Sequence, residues 1–228
     1  MKKEKAIVLL SGGVDSCVVT AIAQKKYHVC LLHINYGQRT DTREEKAFRD
    51  IADYYKIKDI LDIDIGYLRQ IGGSSLTNEA LPIPENSNEN SIPSTYVSFR
   101  NANLLAIATS WAEVIRASKI FIGAMEEDSS GYPDCRESFF TAMNVAIKEG
   151  TKPETLTEIE IPIIHKKKAE VVQLGIKLKA PLHLTWSCYQ SEDKACGICE
   201  SCMLRINAFK KAGYKDPIPY NIPIKWNT

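Results

Sequence analysis

The chain has 228 residues, and its 29 basic and 28 acidic side chains give a formal net charge of +1. This length predicts one domain, or one domain with a small appendage, and the near-neutral charge gives no electrostatic signature of a nucleic-acid-binding or membrane-surface protein. No apolar run approaches the roughly 20 residues that span a bilayer and no export signal is visible, so we expect a cytoplasmic protein in which clustered cysteines bind metal rather than form disulfides.

The first predicted elements flank a glycine-rich turn. The apolar run Ala6 to Leu10 predicts a buried parallel strand, and helical spacing predicts a helix from Cys17 to Lys25. Between them lies Ser11-Gly12-Gly13-Val14-Asp15-Ser16. Such a turn at a helix N-terminus aims backbone N–H groups at one point, where the helix dipole favours an anion. Asp15 can hold a metal ion beside bound phosphates.

This turn has neither the GxxxxGK[ST] nor the GxGxxG spacing. It resembles the SGGxDS signature of the PP-loop ATP pyrophosphatases, which implies that it binds the pyrophosphate part of ATP. The alternative is a tight strand-to-helix turn with incidental serines. We predict ATP contacts from Leu10, Ser11, Gly12, Gly13, Val14, Asp15, Ser16 and Cys17.

The next part of the chain alternates strands with helices. We predict strands at 29–34, 60–65, 119–123 and 159–164, and helices at 42–55, 100–117, 137–149 and 167–174, the last ended by Gly175. This order predicts right-handed parallel crossovers, hence an α/β fold with a doubly wound, mainly parallel Rossmann-like sheet. Helix 42–55 is amphipathic, and Glu44 falls on its polar face with Arg43, Glu45 and Lys46.

Two stretches depart from this alternation. Residues 72–91 are rich in Gly, Ser, Asn, Pro and Glu, which predicts either a functional lid or a tolerated surface insertion. Beyond Pro181, cysteines, prolines and short turns replace the α/β pattern. We therefore divide the chain into an ATP-binding α/β domain, 1–180, and a small C-terminal zinc-binding segment, 181–228.

Four of the seven cysteines form the pattern C-x7-C-x2-C-x2-C: Cys188, Cys196, Cys199 and Cys202. Four thiolates at this spacing predict a closed tetrahedral site with one structural Zn²⁺ per chain and no open position for catalysis. An iron–sulfur cluster is the alternative, because C-x2-C-x2-C also occurs in ferredoxins. Cys17 and Cys30 lie in the first helix and second strand, where a buried apolar role is expected.

Candidate substrate contacts follow the predicted strands, at the sheet edge where doubly wound folds bind ligands. Arg100 lies at a helix N-terminus, which is unfavourable for a cation unless it meets an anion. Asp134 and Arg136 could meet a polar heterocycle or a carboxylate while Tyr132 stacks on it, although an exposed turn is an equal alternative. The lysine run 166–168 opens a helix, an arrangement that suits a nearby phosphate for Lys168 and solvent for the other two.

Taken together, these motifs resemble the 7-cyano-7-deazaguanine synthase (QueC) family nearly from end to end. The matching segments are 11–16, 36–39, 74–77, 93–101, 130–136, 185–202 and 216–220. Of the lysine run, only Lys168 matches the family pattern. Val97-Ser98-Phe99 stands where the family commonly has Val-Pro-Gly or Val-Pro-Ala.

The resemblance implies an ATP-dependent C–N ligase of queuosine biosynthesis. Such an enzyme converts 7-carboxy-7-deazaguanine and ammonia to 7-cyano-7-deazaguanine through an activated acid and an amide, using Mg²⁺ with ATP. It also implies a homodimer, for which the tail 220–226 is a candidate contact, and leaves open whether ATP yields AMP or ADP. On this basis we assign catalysis to Asp15, Ser16 and Lys168. We assign substrate binding to Arg100, Asn101, Tyr132, Asp134 and Arg136.

Three other interpretations remain at this point. A PP-loop tRNA-modifying enzyme could use zinc to organise an RNA-binding appendage, but the chain lacks a clustered basic or aromatic stripe for RNA. An amide synthetase such as one making NAD is a second, and an ATP-sensing module whose zinc knuckle binds a protein is a third. No glutaminase segment is visible, so the ammonia is either free or delivered by a partner.

Overall fold

The computed structural model describes residues 3–84, 92–128 and 131–226, which form a five-stranded sheet with helices on both faces. The strands are β1 (Lys5–Leu9), β2 (His28–Asn35), β3 (Ile60–Asp64), β4 (Lys119–Phe121) and β5 (Glu158–Glu160). All four pairings are parallel, in the order β3-β2-β1-β4-β5. The predicted doubly wound parallel sheet is confirmed.

Seven α-helices are formed within the described residues. They are α1 (Val14–Gln24), α2 (Asp41–Tyr55), α3 (Tyr67–Ile71), α4 (Arg100–Ile115), α5 (Glu137–Gly150), α6 (Lys168–Lys177) and α7 (Glu200–Ala212). None of the helices in these residues is both long and apolar enough to cross a membrane.

The central strand β1 is apolar throughout because helices cover both of its faces. Ala6 and Val8 point into one half of the core, with side chains from α1, α2 and α6. Ile7 and Leu9 point into the other half, with side chains from α4 and α5. The strand order reverses at β1, which pairs with β2 on one side and β4 on the other. This reversal opens a crevice at the carboxyl end of β1, the usual ligand position in such sheets.

The structure corrects several predicted boundaries. Helix α1 begins at Val14, inside the glycine-rich turn, instead of at Cys17. Strand β5 stops at Glu160, because its partner β4 offers only three residues to pair with. The short helix α3 was not predicted, and neither was α7, which lies in the cysteine-bearing segment.

The prediction that Gly175 ends its helix is wrong, since α6 continues to Lys177. Gly175 instead lets α6 approach α1. A Cβ atom at this position would lie 2.8 Å from Cγ2 of Val18 and 3.1 Å from Cδ2 of Leu182. The glycine therefore serves close helix packing.

Candidate active site

A cavity of about 330 Å³ lies at the carboxyl ends of β1, β2 and β4. Its walls come from the glycine-rich turn, the starts of α2, α4 and α6, and the C-terminal segment around α7. A cavity of this size, largely apolar with a few convergent polar groups, is the usual form of a small-molecule site. We call it the cleft.

One end of the cleft is the glycine-rich turn, which is shaped by close backbone contacts. Gly12 has φ +86°, and a Cβ there would lie 2.9 Å from both Cβ of Ala47 and the carbonyl oxygen of Glu44. Only glycine fits this conformation and this space. The hydroxyls of Ser11 and Ser16 lie 3.2 Å apart beside the first turn of α1, whose N–H groups lack intrahelical acceptors. The turn thus has the donors of an anion site.

A charged pair stands at the mouth of this turn. The Nζ of Lys168 lies 3.2 Å from Oδ2 of Asp15, and both residues line the cleft. The backbone N–H of Lys168 donates to Oε2 of Glu127, which fixes the start of α6. Gly123, two residues after β4, packs so closely that a Cβ would lie 3.0 Å from the amide nitrogen of Ser16. The pair is therefore held in place by β4, α1 and α6 together.

The other end of the cleft combines tyrosines with an arginine. The Arg100 guanidinium lies 5.5 Å from the ring centroid of Tyr36 and donates a long hydrogen bond of 3.4 Å to its hydroxyl. Its Nε is buried and has no hydrogen-bond acceptor among the described residues. Tyr132 is positioned by a 2.7 Å hydrogen bond with Thr95, and Tyr189 completes the group. This end suits a flat polar ring bearing an anion.

Glu44 also lines the cleft. Its Oε2 accepts a 3.1 Å hydrogen bond from Nε2 of Gln38, and its Oε1 accepts one of 3.2 Å from the hydroxyl of Thr40. Burial of the carboxylate nevertheless raises the pKa of Glu44 to about 7. Sequence analysis placed this residue on the polar face of a helix and assigned it no role. The sequence signal that could have identified Glu44 is its position in the first turn of α2, the helix that follows the carboxyl end of β2.

Most of the predicted ATP contacts come together at the cleft. Leu10, Ser11, Gly13, Val14, Asp15 and Ser16 line it. Gly12 and Cys17 do not. The Cys17 side chain is fully buried in the core, where burial raises the pKa of its thiol to about 12, and its N–H donates within the helix to Gly13.

The predicted substrate contacts divide into two groups. Arg100, Asn101 and Tyr132 line the cleft, and so does the buried Cys135. Asp134 is instead buried against the start of α4. Its Oδ2 accepts a 2.8 Å hydrogen bond from the backbone N–H of Asn101. Arg136 is exposed at the start of α5 and outside the cleft lining.

The four clustered cysteines are buried, and their sulfur atoms all lie within 4.8 Å of one another. Backbone N–H groups point at two of the sulfurs: Gln190 and Cys196 donate to Sγ of Cys188, and Cys199 donates to Sγ of Cys196. Such bonds stabilise thiolates in metal sites. The group could hold a metal ion, and its thiol donors fit a soft or borderline metal.

The cysteine-bearing segment also builds one wall of the cleft. Helix α7 begins at Glu200, directly after Cys199, and six of its residues line the cleft: Glu200, Ser201, Leu204, Arg205, Ala208 and Phe209. The buried Arg205 binds both carboxylate oxygens of Asp216, at 2.6 and 3.0 Å, and also donates to Thr185. Sequence analysis assigned no role to Arg205 or Tyr189, since α7 itself was not predicted.

The first half of the predicted 72–91 loop is packed into the molecule. Ser74, Ser75 and Thr77 are buried, and Leu76 lines the cleft. Arg39 hydrogen-bonds the carbonyl oxygens of Asn78 and Leu81, which ties the loop to the turn after β2. Residues 85–91 lie outside the described residues, so the choice between lid and insertion stays open for them.

The chain matches one protein family over most of its length. A family model described as "Queuosine biosynthesis protein QueC" matches residues 5–213. Curated relatives named "7-cyano-7-deazaguanine synthase" include one from Chloroherpeton thalassium, 56% identical over 220 residues, covering 96% of this chain and 97% of the relative. Another, from Chlorobium phaeobacteroides, is 56% identical over 218 residues, covering 95% and 96%. A third, from Chlorobaculum parvum, is 52% identical over 220 residues, covering 96% and 97%.

Among solved structures, the chain is similar to the U34-tRNA thiolase NcsA from Methanococcus maripaludis with its [4Fe-4S] cluster. The TM-score is 0.48 at 16% identity, covering 79% of this chain and 59% of that one.

Proposed function

The chain belongs to the QueC family of queuosine biosynthesis proteins, and on that premise we propose that its cleft converts 7-carboxy-7-deazaguanine, ammonia and ATP into 7-cyano-7-deazaguanine. The observation that carries this proposal is the layout of the cleft. An anion-binding turn with the Asp15–Lys168 pair opens into the same cavity as Arg100 and three tyrosines. A nucleotide and a flat acid bound at the two ends would meet in the middle.

The chemistry needs two activations, because a carboxylate is a poor electrophile. In the route we propose, a carboxylate oxygen attacks the α-phosphorus of ATP and pyrophosphate leaves. Ammonia then displaces AMP from the acyl adenylate and loses a proton, which gives the amide. A second ATP activates the amide oxygen in the same way with release of pyrophosphate, and loss of AMP and of both N–H protons forms the nitrile. Release of ADP and phosphate is the alternative route.

The phosphate end provides charge stabilisation. Ser11, Ser16 and the N-terminus of α1 would bind the phosphates, Asp15 would hold Mg²⁺, and Lys168 would neutralise negative charge that develops as the leaving group departs. Mg²⁺ would screen the phosphate charges and orient the triphosphate. Because these groups are fixed by packing before ATP arrives, little reorganisation is needed at the moment of reaction.

The other end provides recognition of the acid. The buried Nε of Arg100 lacks an acceptor, which a carboxylate ligand would supply. Tyr36 and Tyr132 offer ring faces and edges for a flat heterocycle. We therefore keep Arg100, Asn101 and Tyr132 as substrate contacts. Asp134 acts through the start of α4, and Arg136 is left without a proposed contact.

We propose that the four cysteines hold one structural Zn²⁺, because four thiol donors close the tetrahedral shell that zinc prefers. The site would fix the start of α7 and hence one wall of the cleft. A homodimer and a cytoplasmic location stay predictions.

The test is mass spectrometry of the purified protein incubated with ATP, Mg²⁺, ammonium and 7-carboxy-7-deazaguanine. We expect the nitrile, and the amide at early times. The co-product, AMP or ADP, decides the activation route. Survival of ATP in the presence of this acid would refute the proposal, and consumption of ATP with tRNA instead would favour an RNA-modifying enzyme.

A further inference from the structure

Glu44 is a partly buried carboxylate that the roles described so far do not use. It lies in the first turn of α2 and lines the cleft. Both of the groups that hydrogen-bond it are themselves anchored. The side-chain oxygen of Gln38 accepts the N–H of Tyr36 at 3.0 Å, and the hydroxyl of Thr40 also lies 3.2 Å from the carbonyl oxygen of Cys188. The carboxylate is therefore held in one orientation before any ligand binds.

This arrangement is costly for the fold. Arg100 attracts Glu44 electrostatically, but no salt bridge to Glu44 is formed within the described residues, and its two hydrogen bonds come from neutral groups. A carboxylate that has lost part of its hydration and has no salt-bridge partner is destabilising unless further donors reach it. Each oxygen has accepted one bond and retains capacity for another. The open side of the cleft is where those donors would come from.

The proposed substrate carries the matching donors. The pyrimidine edge of a deazaguanine presents N1–H and the exocyclic 2-amino group side by side, and a carboxylate can accept both at once. Adenine in the same position would turn its unprotonated N1 towards the carboxylate, which is repulsive. A carboxylate at this point thus favours a guanine-type ring over an adenine.

We propose that Glu44 is a specificity-determining residue that accepts hydrogen bonds from N1–H and the 2-amino group of the deazaguanine acid. This inference rests on the proposed function, since it concerns the substrate of that reaction. Tyr36 and Tyr132, which line the cleft beside it, would flank the same ring.

The central test compares Glu44→Gln with wild type. The amide keeps the shape but turns one acceptor into a donor that faces a ligand donor. We expect the KM for 7-carboxy-7-deazaguanine to rise about ten- to a hundredfold, with the KM for ATP changed less than about twofold. Glu45→Gln is the matched control, because Glu45 is exposed on the same helix and pairs with Arg49 across its surface. It should match wild type in both constants.

A second substrate isolates the contact. For an analogue of the acid that lacks the 2-amino group, the KM of wild type should be about tenfold higher than for the acid itself. The KM of Glu44→Gln should be nearly the same for the two compounds. Glu44→Asp keeps the charge, so it should keep this discrimination even if the Gln variant fails to fold.

Three outcomes would overturn the inference. A rise in the ATP KM of Glu44→Gln with an unchanged acid KM would assign the residue to the nucleotide. Equal KM values of wild type for 7-carboxy-7-deazaguanine and for the analogue would show that the enzyme does not recognise the 2-amino group. Failure of wild type to convert the acid at all would refute the proposed function itself, and is seen without any variant.

Discussion

The backbone N–H of Trp186 donates a 2.9 Å hydrogen bond to the carbonyl oxygen of Gly12. This bond joins the C-terminal segment directly to the glycine-rich turn. Trp186 is almost fully buried, and its ring lies under the guanidinium of Arg43, 4.3 Å from the ring centroid. Because Cys188 follows two residues later, we expect the geometry of the turn to depend on the cysteine cluster.

Metal removal tests this dependence. Chelation, or the substitution Cys196→Ser, should release one Zn²⁺ per chain, lower Tm by about 10 °C or more, and weaken ATP binding. The measurements are metal analysis, thermal unfolding and calorimetric titration with ATP. Adding Zn²⁺ back after chelation should restore both properties. Iron with labile sulfide in anaerobically purified protein would contradict the zinc assignment.

Asp15→Asn should abolish turnover while leaving the fold intact. The substitution removes the charge that we assign to Mg²⁺ beside the Lys168 ammonium, so we expect kcat to fall at least about a hundredfold. Asp50→Asn is the control, because Asp50 pairs with Lys46 on the surface of α2. Its turnover should equal that of wild type. Activity of Asp15→Asn within twofold of wild type would refute the role.

Gly175→Ala should destabilise the protein, against the usual helix preference. Alanine normally stabilises a helix interior relative to glycine, but here its Cβ would meet Val18 at 2.8 Å, and we expect a loss of about 1–3 kcal/mol in the free energy of unfolding. Gly150→Ala, at the end of α5 with open space around it, should be neutral or slightly stabilising. Urea denaturation of both variants measures the difference. Equal effects would mean that α6 can move away from α1.

Phe99→Gly should be more stable than Phe99→Ala. Phe99 precedes α4 with φ +56°, a left-handed conformation that is unfavourable for a side chain with a Cβ. Both substitutions remove the edge contact with Phe139, and only glycine relieves the backbone. The two variants should therefore differ by about 1 kcal/mol in the free energy of unfolding. Equal stabilities would show that the loop relaxes without cost.

Glu44→Gln should stabilise the protein in a pH-dependent way. Because the pKa of Glu44 is raised to about 7 in the folded state, the folded protein holds a proton that the unfolded chain releases above pH 4.5. The stability that this group contributes is therefore complete below about pH 4.5, falls as pH rises through about 7, and levels off above that. Arg100 opposes the shift and Asp41 adds to it, but burial dominates.

The difference in Tm between Glu44→Gln and wild type should consequently grow from pH 5 to pH 8. Glu45→Gln should show no such trend. A variant that is more stable yet has a higher KM for the acid would separate a substrate contact from a structural one. A Tm difference that is constant with pH would contradict the raised pKa.

The sequence alone determined the architecture and two of the chemical groups. A strand that is buried on both faces of a parallel sheet needs an apolar run such as Ala6 to Leu10, so such strands can be predicted from the sequence. The glycine-rich turn and the four cysteines are likewise local patterns, because adjacent backbone groups and closely spaced thiols meet with little help from the rest of the fold.

The tertiary structure decided which side chains share the cleft. Glu44 looks like an ordinary polar position of a helix in the sequence, and Arg205 lies in a segment for which no helix was predicted, yet both line the cavity. Gly175 looks like a helix stop, and becomes a packing site only because α1 crosses it. Arg136 fits the pattern of a substrate contact but is exposed at the start of α5. Contacts between residues far apart in the chain depend on how helices pack, and the local sequence does not predict that packing.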